Sequence, residues 1–207
     1  MCDSYITVGK RAISEFVEKK SKFIGYVKPV STEGDALSFI NEIKSRHWDA
    51  RHNVFAYVVR ENNIARYSDD GEPHGTAGVP ILDIIKRNNL QNVVVVVTRY
   101  FGGILLGTGG LVRAYSQAAS SAIDLARVVE MVCCYDCGLQ CDYNQYGKAA
   151  NIISECGGVV DKTDFSGEVS VGFHVRKKDF SALSKKILEM SSGALQCNIL
   201  GENFYSA

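Results

Sequence analysis

Three carboxylates stand within four residues, Asp69, Asp70 and Glu72, in the run SDDGEPHGTAGVP, with His74 beside them. Carboxylate oxygens at this density are hard ligands that suit Mg²⁺. The same residues equally suit a solvated turn in which an Asp caps a following helix. His74 is a candidate general base, although a lone loop histidine is more often an ordinary polar contact. Further along, TRYFGGILLGTGGLVRAY places Arg99 and Tyr100 at the end of an apolar run. Gly102, Gly103, Gly107, Gly109 and Gly110 follow, and then Arg113. Glycine lets a backbone approach a ligand closely. Helix starts expose unpaired N–H groups and partial positive charge. Two such starts are read here, GTAG with Gly75 and Thr76, and GTGG. A phosphate or carboxylate at either would gain charge from Arg99 or Arg113. Tight turns and close packing explain the glycines equally well. The pattern is neither a Walker A loop, since GK[ST] is missing, nor a dinucleotide fingerprint directly after a strand.

The cysteines pose a second question. Cys133, Cys134, Cys137 and Cys141 include one C-x-x-C spacing but lack the distant second pair of a structural zinc site. On a strand, Cys133, Cys137 and Cys141 share a face with Tyr135 and Leu139, which reads as a buried apolar face.

The elements that must position these residues follow from periodicity. Tyr5 to Val30 alternates as two strands, hairpinned through Lys19-Lys20-Ser21. Ser31 or Thr32 caps a helix carrying Ala36, Leu37, Ile40, Ile43 and Trp48 at helical spacing. His52–Arg60 is a strand and Asn63–Tyr67 a short one. GTAGVPILDIIKRNN opens a helix with Pro80 in its first turn. NVVVVVTRY is a buried central strand, FGGILLGTGG a loop, and LVRAYSQAASSAIDLARVV a long helix. From Val128 the chain reads strand, helix, strand, strand, helix, strand. That βαββαβ order is the split-βαβ of a ferredoxin-like domain. The fold class is thus α+β, with domains expected at 1–127 and 128–207.

Composition sets bounds on function. The 207 residues carry 23 basic and 23 acidic side chains. Up to Leu125 there are 15 basic and 13 acidic residues, and after it 8 and 10. This balance argues against a strongly basic nucleic-acid coat and leaves room only for local patches, such as Arg176-Lys177-Lys178 with Lys185-Lys186, or Lys19-Lys20 with Lys22. Phe165 and Phe173 are the aromatics that a ferredoxin-like sheet would offer to RNA, although alternation buries them equally well. The N-terminus has no secretory signal, and no apolar run is long enough to span a bilayer. A cytoplasmic protein with reduced thiols and no membrane contact is expected.

The runs DDGEPHGTAGVPIL and VVVVVTRYFGGILLGTGGLVRAY, with SKFIGYV and ARHNVFAYVV before them, resemble the signature of the IMPACT/YigZ family, bacterial two-domain type. His74 departs from it, since a small residue such as Ser is expected there. The resemblance implies an N-terminal domain of the ribosomal-protein domain-2-like α+β fold. It also implies a ferredoxin-like second domain similar to the last domain of elongation factor G. Both halves then look like translation-factor modules. The reading is a non-catalytic regulatory protein whose partner is the ribosome, RNA or a translation-regulatory protein. The alternatives are a small-molecule or phosphoester enzyme using the SDDGEPHGTAG/TRYFGG cleft, and a protein–protein adaptor. The candidate ligand- or anion-binding set is Asp69, Asp70, Glu72, Gly75, Thr76, Arg99, Tyr100, Gly102, Gly103, Gly109 and Arg113. No cofactor is expected, with Mg²⁺ on the carboxylates as the alternative.

Overall fold

A computed structural model describes residues 4–207. Two compact units divide the chain after Glu130. The elements in chain order are β1 (Ser4–Val8), β2 (Ala12–Glu18), β3 (Ser21–Pro29), α1 (Glu33–Arg46), β4 (His52–Val59), β5 (Ile64–Ser68), α2 (Gly78–Arg87), β6 (Val93–Tyr100) and α3 (Thr108–Ala126). They continue as β7 (Val128–Cys141), α4 (Tyr143–Glu155), β8 (Val159–Phe165), β9 (Val169–Arg176), α5 (Lys177–Met190) and β10 (Asn198–Ser206). The class is α+β, with two antiparallel sheets.

The first unit is built on the sheet β2-β3-β6-β4-β5. β6 is its middle strand, and both of its faces are covered. Val93, Val95 and Val97 pack under α2 and α3, while Val94 and Val96 pack under α1. Alternation along a strand sends successive side chains to opposite faces. A strand covered on both sides must therefore be apolar throughout, and this is why five valines stand in a row. β2 and β3 are joined by Lys19-Lys20, both at positive φ, which matches the twist of a two-residue hairpin. α1 starts at Thr32, whose side chain accepts from the Asp35 N–H. Asp35 reaches back to the Thr32 N–H, completing a capping box.

Three expectations need correcting here. The segment up to Val30 forms three strands rather than two, because β1 separates from β2 at Gly9. Gly9 donates its N–H to the Arg127 carbonyl at 2.7 Å. Trp48 is not a core residue of α1. The helix ends at Arg46, and Trp48 is 84% exposed. The last strand, expected over ALQCNILGENF from its alternation, starts only at Asn198.

In the second unit β7, β8, β9 and β10 carry the split-βαβ. Its strand order is β7-β9-β8, with β10 also paired to β7. β9 lies antiparallel between β7 and β8, so β7 and β8 run parallel with a strand inserted between them. Helices α4 and α5 bury Ala149, Ile153, Leu183 and Ile187 against Cys137, Leu139, Val171 and Phe173.

Candidate functional site

Sheet register decides which side chains meet. Arg99 pairs across β6 with His52 on β4 and with Phe23 on β3. It continues the odd-numbered valine row and so falls on the α2/α3 face. Its side chain is 6% exposed. Nη1 donates to Glu72 Oε1 at 2.6 Å and Nη2 to Ser21 Oγ at 3.3 Å. The guanidinium also lies 5.4 Å from the Phe23 ring centre and 5.5 Å from that of Phe101. Tyr115 of α3 donates to the same Glu72 oxygen at 2.8 Å. Burial pushes the Tyr115 phenol far up, and the adjacent Glu72 charge adds to this. His52 presents Nδ1 to the Asp70 carbonyl at 2.8 Å, which leaves Nε2 facing Glu72 at 3.7 Å. Glu72 and Arg99 thus form a buried ion pair, braced by a phenol and an imidazole.

The neighbouring carboxylates go elsewhere. Asp69 Oδ1 accepts from the N–H groups of Ala77 (3.2 Å) and Gly78 (2.8 Å), and Oδ2 accepts from the Gly75 N–H at 2.9 Å. The α2 start is therefore occupied by the chain's own carboxylate, and GTAG is not an open anion site. Thr76 turns inward, giving both its N–H (3.0 Å) and its hydroxyl (2.7 Å) to the Pro73 carbonyl. Asp70 accepts from the Asn53 N–H at 2.7 Å and pairs with Lys44 at 2.9 Å. The three carboxylates point to three separate partners. Among the described residues, no group of three or more His, Cys, Asp or Glu is placed to share a metal ion. His74 is exposed, with its ring 3.8 Å from Asp69.

A cleft of about 390 Å³ opens where β4, β6 and the start of α3 converge. Arg51, His52, Glu72 and Arg99 line its polar side. Phe101, Leu105 and Leu111 supply apolar wall, and Gly107 and Thr108 bring the α3 start to it. Several expected members of this site lie elsewhere. Tyr100, one residue past Arg99, points to the opposite face of the sheet, where its hydroxyl meets His47 and Asp49. Arg113 lies on α3 beside a different depression, with Glu18, Lys19 and Gln117. Gly102 is a packing residue, because a Cβ there would stand 2.0 Å from the Lys20 backbone. Gly103 makes a turn at positive φ. Gly109 belongs to the first turn of α3. Arg51, His52, Phe101 and Thr108 were not in the expected set. Arg51 precedes β4 and His52 opens it, and the pairing of β4 with β6 sets His52 opposite Arg99.

In the second unit Cys137 and Cys141 pack in the core as the alternation predicts, and Cys133 and Cys134 are also buried. Burial pushes the Cys137 thiol up to about 12 and that of Cys197 up to about 11. Phe173 is 1% exposed and cannot stack on a base. Phe165 is exposed on β8 but is packed by Tyr143 and Tyr146. The aromatics on the other face of the sheet are His174 and Tyr205, stacked on each other. Asp161 and Asp136 hold them, at 2.8 Å and 2.6 Å. Those carboxylates oppose a nucleic-acid backbone.

The cleft is built from the long sequence runs noted above, and known proteins carry the same runs. A model described as the Impact N-terminal domain matches residues 19–123. IMPACT family member YvyE of Bacillus subtilis is 41% identical over 194 residues, covering 93% of this chain and 89% of that protein. This chain belongs to the IMPACT family. A second model, a domain of unknown function, matches residues 139–194. IMPACT family member YigZ of Escherichia coli is 33% identical over 181 residues, 86% of this chain and 89% of its own. Human Protein IMPACT is 30% identical over 96 residues, which cover 44% of this IMPACT family member and 29% of the human protein. A solved structure, titled as the crystal structure of a hypothetical protein, aligns over 97% of this chain and 99% of its own. Its TM-score is 0.63 and its identity 29%. No helix among the described residues is long and apolar enough to cross a membrane.

Proposed function

We propose that this IMPACT family member is a non-catalytic binding protein of the translation apparatus, engaging the ribosome, RNA or a translation regulator through the face that carries the cleft. The observation that supports this reading is how the charges in the SDDGEPHG motif are used. Asp69 holds the start of α2, Asp70 anchors Lys44 and the β4 backbone, and Glu72 neutralises Arg99. Each acidic side chain is committed to holding the cleft wall. What faces outward is recognition chemistry: an exposed Arg51, an open helix start and the exposed apolar side chains of Ile104 and Leu105. Kinship with the eukaryotic IMPACT proteins favours a regulatory role. The reading entails a cytoplasmic site of action.

The test is co-sedimentation of the purified protein with ribosomes from its own cells at low and high salt. Arg51→Glu is the informative variant. Arg99 is buried in an ion pair, and reversing its charge would disrupt the fold. The expected result is salt-sensitive pelleting that Arg51→Glu reduces about tenfold. No pelleting at low salt overturns the reading, and pelleting that survives nuclease and ribosome removal assigns the contact to a protein partner.

A further inference from the structure

The helix starts of this protein are not treated alike. α1 has its capping box, α2 has the Asp69 carboxylate, and α4 has Asp142, which accepts from the Gln145 N–H at 2.8 Å. α3, the longest helix, has no side-chain cap and no acidic residue in its first turn. Its N-cap is Gly107, at φ 72°, and a Cβ there would meet no atom within 4 Å. The start of this 19-residue helix therefore meets the cleft at Gly107 and Thr108 with no side-chain cap on its first-turn N–H groups.

A second observation comes from the opposite wall. Arg99 is more than nine-tenths buried and lines the same cleft. Its Nε is the one buried side-chain nitrogen or oxygen among the described residues that has no hydrogen-bond partner. Buried donors in native proteins are nearly always paired, and an unpaired one at a cleft marks a missing acceptor. The helix start calls for an anion with several oxygens, and the guanidinium, whose terminal nitrogens are held by Glu72 and Ser21, is left one donor short of full pairing at the same cleft.

The rest of the cleft describes what the anion is attached to. Phe101 is 39% exposed and Leu105 81% exposed, both at the cleft. Arg51 lies 5.6 Å from the Phe101 ring centre, so a planar cation and an aromatic ring stand together at the mouth. Aromatic and guanidinium planes are the usual stacking partners of an unpaired nucleobase. The volume lies near the low end for small-molecule sites, roughly 300–1,000 Å³, which suits one nucleotide unit rather than two. Glu72 also lines the cleft, but its charge is matched by Arg99 and by the Tyr115 hydroxyl.

We propose that this cleft holds one nucleoside phosphate, free or at the end of an RNA strand, with its phosphate on the first turn of α3 and its base beside Phe101 and Arg51. The proposal rests on the cleft being a binding face, as in the function proposed above, and adds the chemical class of its ligand.

The experiment is calorimetric titration of the full chain with AMP, GMP, CMP and UMP, with adenosine and inorganic phosphate, and with short RNAs carrying a 5′-phosphate or a 5′-hydroxyl. At least one mononucleotide is expected to bind ten times more tightly than either phosphate or the nucleoside alone. Thr108→Glu gives α3 its own carboxylate and so keeps the helix stable. It is expected to weaken that binding tenfold or more while the unfolding midpoint holds or rises. A phosphorylated RNA that outcompetes the mononucleotide identifies a strand end as the source, and equal affinities identify the free nucleotide. Absence of saturable mononucleotide binding at millimolar concentration overturns the proposal. Unchanged affinity in Thr108→Glu, or inorganic phosphate binding as tightly as the nucleotides, also overturns it. Ribosome pelleting without nucleotide binding overturns this proposal alone, whereas nucleotide binding without pelleting overturns only the translation reading.

Discussion

Glu72 and Arg99 are both nearly sealed from solvent, and each is tolerable there only because of the other. Removing one partner of a buried pair leaves an uncompensated charge, which costs far more than the pair contributes net. Glu72→Ala is expected to lower unfolding stability by about 3 kcal/mol in urea titration, with Tyr115 losing its acceptor as well. Replacing both residues with Met should cost clearly less than the single change. On the other face of the same sheet, His47 sits in a directed chain of hydrogen bonds. Tyr26 O–H donates to Nε2 (2.5 Å), Nδ1–H donates to the Tyr100 oxygen (2.8 Å), and Tyr100 O–H donates to Asp49 (3.0 Å). That chain requires a neutral ring. Burial, and then the Arg46 charge, hold the His47 pKa below its usual value. The unfolded chain therefore takes up the proton first, at about pH 6.5. The stability His47 contributes is complete above that pH and is lost as pH falls through it. Urea midpoints measured at pH 7.5 and pH 5.5 should show the drop, and His47→Gln should flatten it. At this scale the structure brings only some of the expected residues to one cleft. Tyr100 follows Arg99 directly and so had to face the other way, a consequence of strand pleating that the motif obscured. The turn reading allowed an Asp of this run to cap the next helix, and which of the two does so, Asp69, is set by the loop geometry.

The elements owe their packing to small residues. α3 presents Ala114, Ala118, Ala119 and Ala122 to the sheet. β3 answers with Gly25, where a Cβ would stand 2.5 Å from the Ala118 carbonyl oxygen and 2.8 Å from Ser14 Oγ. Ser14 already donates to that carbonyl at 3.1 Å. Gly25→Ala is expected to push α3 off the sheet and destabilise the protein by roughly 2–3 kcal/mol, as overpacking does, measured as a lowered unfolding midpoint. Moving α3 would also shift its first turn at the cleft, so the same variant should lose ligand affinity. Most elements were legible from periodicity, and the split-βαβ was legible from element order alone, because alternation and helical spacing are local signals. β1 was not, since only a long-range bond from Gly9 to Arg127 marks its end. Arg51 and His52 were not legible as site residues for the same reason, since the β4–β6 pairing at His52 brings them to the cleft of Arg99 from 48 and 47 positions away.

At the scale of the whole chain, each unit has its own apolar clusters, and the candidate site falls within the first. The near-zero net charge hides an uneven distribution. The cleft has Arg51 and an open helix start, while the exposed sheet face of the second unit carries Asp136 and Asp161. Composition could only bound this, because charge counts carry no positions.

The strand at the centre of the first sheet is also the last of that sheet's strands to be made. During synthesis β2, β3, β4 and β5 leave the ribosome before β6 exists, and neither β3 nor β4 can complete its pairing until residues 93–100 arrive. When they do, Val93–Val97 is an uncharged, β-prone stretch with no proline, and the helix that covers one face of it runs on to Ala126. The nascent first unit must therefore wait and then assemble in one late step, with its stickiest segment uncovered in the interval. The run that the finished sheet buries on both faces is the one most open to misassembly while the chain is being born.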